Sequence, residues 1–445
     1  MACRKANCEL ICVNESVLKQ ELGLVLHLFF VLLRVISIPP FPLCGYLSHQ
    51  HKLSPSKQSS SQETSHNYHY HSTTLANYTF LRRATMKSSV ILAGFAAGLV
   101  AAAPAPQGMS LDLAAVKAVP IPAPTAAPMA VHALSAVPTY NTAAAASDAA
   151  ATATATATAA AKIKRDACQA LLQGAGPVTS PDTAASFLAN SVYNQTADSA
   201  PVPQGYQMTF SNAQGSVSAS SYMGYYTLNS YDTVQCAHYC DAADGCMSFN
   251  VFYERDPSVD PADACPNPSS TVPIKCTLWG LPINAAMANN MGQWRDQFQV
   301  VIAGSNGYVS NAPPASYGNF TGPSARLGGA ILAPLINGAD PYEGMNFFTG
   351  PYDPSQCAAA CQAKTAYAAA TAVNGTYEPC NFFASYVLSE NNVPQGTYCA
   401  YYDQPFDRSY AQNNGQYDGE GNYYSVSQAY SYTLTNQDSG VVAPS

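Results

Sequence analysis

The chain has 445 residues, with 19 Lys+Arg against 27 Asp+Glu and 14 cysteines. Only 10% of residues are charged, against about 25% in an average soluble protein, and residues 1–165 hold 13 Lys/Arg and 6 Asp/Glu while residues 166–445 hold 6 and 21. The C-terminal part, at net −15 and with His238 as its single histidine, lacks the basic stripe that a nucleic-acid binder needs, and anionic membranes repel such a surface.

In chain order, targeting comes first. The apolar stretch that starts at Leu22 and ends at Ile38 (LGLVLHLFFVLLRVISI) is close to the lower length for a bilayer span and contains His27 and Arg34. A second pattern starts at Met86, MKSSVILAGFAAGLVAAAPAPQ: Lys87 is the basic region, Val90 to Val100 the apolar one, and Val100-Ala101-Ala102 a small-residue cleavage site. That is a secretory signal over 86–102. Two readings compete. Either the first stretch is a real anchor that ties the chain to a membrane, or residues 1–85 are a gene-model extension ahead of the true start. The second is preferred, because residues 39–85 are a polar mixture without hydrophobic period. Cys3, Cys8, Cys12 and Cys44 have no metal-ligand spacing and no evident partners.

Residues 103–161 are dominated by Ala, Pro and Thr. Such a segment cannot bury a core, so 103–165 reads as a disordered propeptide or linker. It ends in Lys164-Arg165, a dibasic site before Asp166 where low complexity gives way to aromatic, cysteine-containing sequence. Processing makes Asp166 the mature N-terminus; the alternative keeps the Ala/Thr run as an O-glycosylated stalk.

From Asp166 on there are 10 cysteines. An even number behind a secretory signal implies a disulfide framework in an oxidising compartment. Sequons at Asn194, Asn319 and Asn374 agree with a secreted, extracellular or wall-associated glycoprotein. The strongest signal is self-similarity. YDTVQCAHYC (231–240) returns as YDPSQCAAAC (352–361). Met223-Gly224-Tyr225-Tyr226-Thr227 matches Met345-Asn346-Phe347-Phe348-Thr349. GCMSFNVFYERD (245–256) matches PCNFFASYVLSE (379–390), and KCTLWG (275–280) matches YCAYYD (398–403). A final apolar run follows each, from Trp294 to Ala303 and from Tyr423 to Leu434. Asp232 or Thr233, and Asp353 or Ser355, suit helix N-caps. Cysteines four apart then share a helix face. The alternating runs after Cys246 and Cys380 read as strands, as do those around Cys276 and Cys399. Each module is thus a set of antiparallel strands with one stapled helix.

This frame resembles the PAN/apple family, in which a helix carries a Cys-x3-Cys pair tied to strands. The chain from Asp166 also resembles a group of secreted ascomycete proteins with two PAN/apple-like cysteine-rich modules, on the phrases FNVFYERDPSVDP (249–261) and GQWRDQFQVVIAGSNGY (292–308). The resemblance implies an α+β, β-rich fold with tandem modules at 166–312 and 313–445. It implies the pairs Cys236–Cys276 and Cys240–Cys246, then Cys357–Cys399 and Cys361–Cys380. Spacing alone leaves three connectivities for each four. Cys168 and Cys265 have no counterpart in the second module. Pairing with each other is the simplest arrangement, with Cys265 competing for Cys240 or Cys246 as the alternative.

Signs of catalysis are few. His238 sits between Cys236 and Cys240, no GxSxG elbow exists, and an exposed helix histidine is the preferred reading. Scarce histidine disfavours zinc and copper, and no nucleotide fingerprint is present, so no cofactor is expected. Glu254, Asp256, Asp260 and Asp263 lie in ERDPSVDPADAC. They read as a Ca²⁺ or acid/base cluster or, preferably given the prolines, as an extended solvated loop. Asp418, Glu420 and Asn422 in YDGEGNYY read as a Gly-rich turn. Aromatics are plentiful: 24 of the 29 tyrosines follow residue 165, with Trp279 and Trp294. Tyr225, Tyr226, Phe347 and Phe348 are candidate ligand contacts, with core packing the preferred role; Trp279, Tyr401 and Tyr402 read as core. The expected function is non-enzymatic binding of a polysaccharide or an extracellular or cell-wall protein. The alternatives are a carboxylate-based polysaccharide hydrolase and a structural wall protein or effector.

Secreted protein is expected to begin at Asp166, because Lys164-Arg165 closes a protease-accessible stretch. N-terminal sequencing of culture supernatant checks this, and a start near Ala103 means the Ala/Thr segment is retained.

Overall fold

The computed structural model describes residues 2–6, 9–13, 111–151 and 167–442, and the chain divides into two compact units, Met1–Phe95 and Ala96–Ser445. In the first unit, β1 (Ala2–Ala6) and β2 (Glu9–Val13) form an antiparallel hairpin whose register sets Cys3 opposite Cys12, a neighbour that the spacing did not suggest. The apolar stretch 22–38, the signal at 86–102 and Lys164-Arg165 lie outside the described residues. Among those described, no helix is long and apolar enough to cross a membrane.

The second unit corrects one expectation. Residues 111–151, assigned to disorder by composition, form α1 (Leu113–Ala118), β3 (Thr125–Ala126), β4 (Ser135–Ala136) and α2 (Thr142–Ala151). The segment does not build a core of its own. Leu111, Leu113, Val116 and Met129 are instead buried in clusters whose other members come from the later chain. We call it the strap.

Helices α3 (Ala184–Leu188) and α4 (Ser191–Ser199) follow. Then come β5 (Tyr206–Ala213), β6 (Ser218–Ala219), β7 (Tyr222–Leu228), α5 (Thr233–Asp241), β8 (Ser248–Pro257) and β9 (Ser270–Thr271). The first half ends with β10 (Ile274–Trp279), β11 (Gln293–Arg295) and β12 (Phe298–Ser310). They form an antiparallel sheet in the order β11-β12-β8-β10-β7-β4, with β5 on β12 and β9 on β8; the strap's β4 is therefore an outer strand. The second half contains β13 (Phe320–Thr321), β14 (Ala330–Ile331), β15 (Tyr342–Phe348), α6 (Pro354–Ala370), β16 (Phe382–Glu390) and β17 (Val393–Tyr402). It closes with β18 (Ala411–Asn413), β19 (Gly415–Tyr417) and β20 (Tyr423–Leu434). Its sheet runs β13-β20-β16-β17-β15, with β19 on β20.

The repeat in sequence is a repeat in structure. Strand, helix and three strands recur as β7-α5-β8-β10-β12 and β15-α6-β16-β17-β20, with the same strand neighbours. Asp232 Oδ1 accepts from Gln235 N at 2.9 Å and Asp353 Oδ1 from Ser355 N at 2.9 Å, so both helices start on capping carboxylates. Cys276 lies opposite Tyr226, whereas Cys399 lies opposite Asn346. The sheet thus aligns Tyr226 with Asn346 and Gly224 with Gly344, two residues away from the match of Tyr225-Tyr226 with Phe347-Phe348. A strand pattern repeats every two residues, so sequence does not distinguish a two-residue slip from the true register.

Five disulfides hold this frame: Cys236–Cys276, Cys240–Cys246, Cys357–Cys399, Cys361–Cys380 and Cys168–Cys265. They coincide with the pairs that the resemblance and the leftover cysteines imply. Each helix is tied to its central strand, β10 or β17. The cores are aromatic. Phe249 stacks on Tyr308 at 4.8 Å and Phe383 on Tyr432 at 4.7 Å. Some tyrosine hydroxyls find backbone acceptors: Tyr231 donates to Gly304 O at 2.7 Å and Tyr402 to Ile331 O at 3.1 Å.

Peptide mapping should recover these five pairs and no free thiol after residue 165. Replacing both Cys168 and Cys265 by Ser should lower stability to denaturant by up to ~4–5 kcal/mol, the chain-entropy value for a loop of about 100 residues.

Candidate functional site

Alternation along β8 sends Val251 and Tyr253 toward the stapled helix and Phe252, Glu254 and Asp256 to the other face. On β10, Lys275 lies opposite Phe252 in register and joins that second face. Lys275, Glu254 and Asp256 are all buried, at 0%, 0% and 2% exposure. The Lys275 ammonium pairs closely with Glu254 Oε1 and lies 3.9 Å from Asp256 Oδ2. It is shared between the two carboxylates. Beside them, Asp260 receives Arg295 Nη2 at 2.6 Å and His132 Nε2 lies 3.1 Å from its other oxygen.

Burial, then the charge of Glu254, pushes the Asp256 carboxyl well above the ordinary range. Burial pulls the Lys275 ammonium down, but Glu254 and Asp256 outweigh it and the net direction is up. Glu254 Oε2 and Asp256 Oδ1 have no hydrogen-bond donor among the described residues; a proton retained by Asp256 supplies one.

The strap closes this face, almost entirely with its backbone. Lys275 Nζ donates to Pro128 O at 2.8 Å. Ala130 N donates to Asp256 Oδ2 at 3.1 Å and reaches Glu254 Oε1 at 3.4 Å. Leu172 N donates to Val131 O at 3.0 Å, Tyr225 OH to Ala133 O at 3.0 Å and Thr227 N to Leu134 O at 2.7 Å. β4 then pairs with Tyr225 and Tyr226 of β7. Met129 fills an apolar site among Phe252, Phe298, Val300 and Ile302. Gly224 has φ +120°, and a Cβ there would lie 2.2 Å from Ala136 O, so glycine is what lets the strap approach. The second half holds the strap at the equivalent position: Tyr398, like Lys275, precedes the strand cysteine, and its hydroxyl accepts from Asp112 N at 3.1 Å.

The solvated-loop expectation for Glu254, Asp256 and Asp260 is thereby corrected; of the four carboxylates, only Asp263 is exposed. Their partners, Lys275, Arg295 and His132, lie outside the acidic loop and went unnoticed. One signal was visible: Lys275 is a charge inside an otherwise uncharged strand.

Comparison with protein-family models, curated proteins and solved structures finds no match. The site therefore rests on its own geometry.

The remaining candidates are dispersed. Tyr225 and Phe347 are buried; Tyr226 is half-buried and stacks on Tyr239 at 3.8 Å, and Phe348 is half-buried. His238 is exposed on α5. Asp418 accepts from Glu420 N and Asn422 N, each at 2.8 Å, in a turn, and pairs with Lys117 of the strap at 2.8 Å. That lysine, then Asn422, holds the Asp418 carboxyl below the usual range. Asn319 and Asn374 are exposed, and Asn194 is half-buried on α4.

Lys275→Met should destabilise the fold by about 3–5 kcal/mol, because it strands buried carboxylates. Asp256 gives a pH signature. Between its unfolded and its raised folded pKa, the native state binds more protons than the unfolded state. Its contribution to stability therefore falls as pH rises from about 4. Asp256→Asn, which cannot ionise, should gain thermal stability relative to wild type as pH rises through that window.

Proposed function

We propose that the chain is a secreted, non-enzymatic binding protein built from two PAN/apple-like modules, and that its ligand is an extracellular or cell-wall protein. The observation that carries this reading is the strap. A bent segment lies on the first half through main-chain hydrogen bonds and one apolar anchor and ends in a two-residue added edge strand, the last of these being one way in which sheet proteins take up peptides. Protein is favoured over glycan because Tyr225 and Phe347 are buried and Tyr226 is stacked internally, which leaves these aromatics poorly placed as a sugar platform. A hydrolase needs two carboxyls flanking a scissile bond. Here Glu254 and Asp256 converge on one ammonium and one N–H. The signal pattern, sequons and disulfides support an extracellular address.

The test is incubation of the full chain with a panel of wall polysaccharides and wall proteins, scoring retention and soluble sugar. Saturable retention on protein without sugar release is expected. Release of reducing ends that disappears in Asp256→Asn would overturn the reading in favour of the hydrolase.

A further inference from the structure

The first half offers the strap a set of polar groups whose partners lie in the strap. Without it, Lys275 Nζ loses the Pro128 carbonyl and keeps only carboxylates. The Asp256 carboxyl loses the Ala130 N–H. Tyr225 OH and Thr227 N lose the Ala133 and Leu134 carbonyls. The outer edge of β7 loses β4. Buried polar groups are almost always partnered, so this surface is built around a peptide backbone.

It asks for few polar side chains, although Ala130 and Val131 are buried and Ala130, at φ +52°, calls for a small residue. Apart from the β4 ladder on β7, residues 128–136 contribute four carbonyls and one N–H to these contacts, and one polar side chain, His132. Specificity beyond the backbone comes from the Met129 site and from Asp260 facing the imidazole. The strap has no cysteine between 111 and 151, so among the described residues no disulfide fixes it. A cut after Arg165, expected from the dibasic site, leaves it held by non-covalent contacts alone.

We propose that the groove bounded by the outer edge of β7, Lys275 and the Glu254–Asp256 pair is a docking site for a peptide segment of a partner protein that bends over Lys275 and then pairs with β7, and that residues 128–136 of this chain occupy it as a removable placeholder. The incoming segment presents a carbonyl to Lys275, an N–H two residues later to the carboxyl pair, and an apolar side chain between them. It prefers a basic or imidazole side chain opposite Asp260. This deepens the binding-protein reading and rests on it.

The test uses the full chain with Met129→Asp and Ala130→Pro in the strap, changes that remove the anchor and the N–H donor without touching the groove. The probe is a fluorescent synthetic peptide of residues 125–140. The variant should bind it saturably, and the wild-type chain at least about tenfold more weakly, because the tethered segment competes at an effective concentration on the order of millimolar. A peptide N-methylated at Ala130 should lose at least about tenfold in affinity, since a buried acceptor is left without its donor. Wild-type chain cut by a dibasic-specific protease is the second arm, independent of whether the variant folds. Failure of both arms to bind the probe, or equal binding of the N-methylated peptide, overturns the groove. If wall-protein retention persists in that case, only the groove falls. Enzymatic sugar release would instead defeat the parent reading.

Discussion

A dehydrated ammonium dictates much of this architecture. Lys275 sits in the middle of a sheet at 0% exposure, and a buried charge is tolerated only when paired and fully hydrogen-bonded. Glu254 supplies the counter-charge. The Pro128 carbonyl supplies a further acceptor and comes from a segment that builds no core of its own. Fixing that carbonyl sets the register of the strap, which places Met129 in its apolar site and brings β4 onto β7. One lysine thus fixes a point in the register of an Ala/Pro-rich tract that apolar clusters also hold.

The cysteine frame, both helix caps and the strand runs were legible in the amino-acid sequence, because each is a local pattern with a period or a fixed spacing. The strap was not. Composition describes a segment by itself, and residues 111–151 are ordered by clusters that belong to other parts of the chain. The acidic loop misled for the same reason. Glu254 and Asp256 are 21 and 19 residues from Lys275, and His132 is 128 residues from Asp260. Prolines in ERDPSVDPADAC signal exposure only if no cation folds back over them.

The repeat has diverged where the halves meet the strap. The position before the strand cysteine is Lys275 in one half and Tyr398 in the other, and the position of Glu254 is taken by Leu388. The first half therefore receives the strap with charge. The second receives it with a hydroxyl and an apolar bed, and its ion pair, Lys117 with the Asp418 turn, lies at the partly exposed rim: Tyr398 stacks on Tyr386 at 4.8 Å, and Leu111, Leu113 and Val116 lie among Tyr386, Tyr398, Tyr402 and Tyr424. Common backbone geometry has been kept while the chemistry of recognition changed.

Gly224 and Gly344 occupy the same place in the two sheets, and both have positive φ. Yet a Cβ on Gly224 would strike the strap, whereas one on Gly344 would meet nothing within 4 Å. Among the described residues, the outer strand of the second half is therefore bare at Gly344, where that of the first is covered. A bare edge invites another copy to pair with it. Here the strand is interrupted by a register shift between Tyr342 and Gly344, and Glu343 is held 3.4 Å from Lys364. A second molecule adding its own strand at β15 has to flatten that irregularity and dehydrate an ion pair, so the two sheets reach colloidal safety by different means: one by occupancy, the other by an uneven, charged rim.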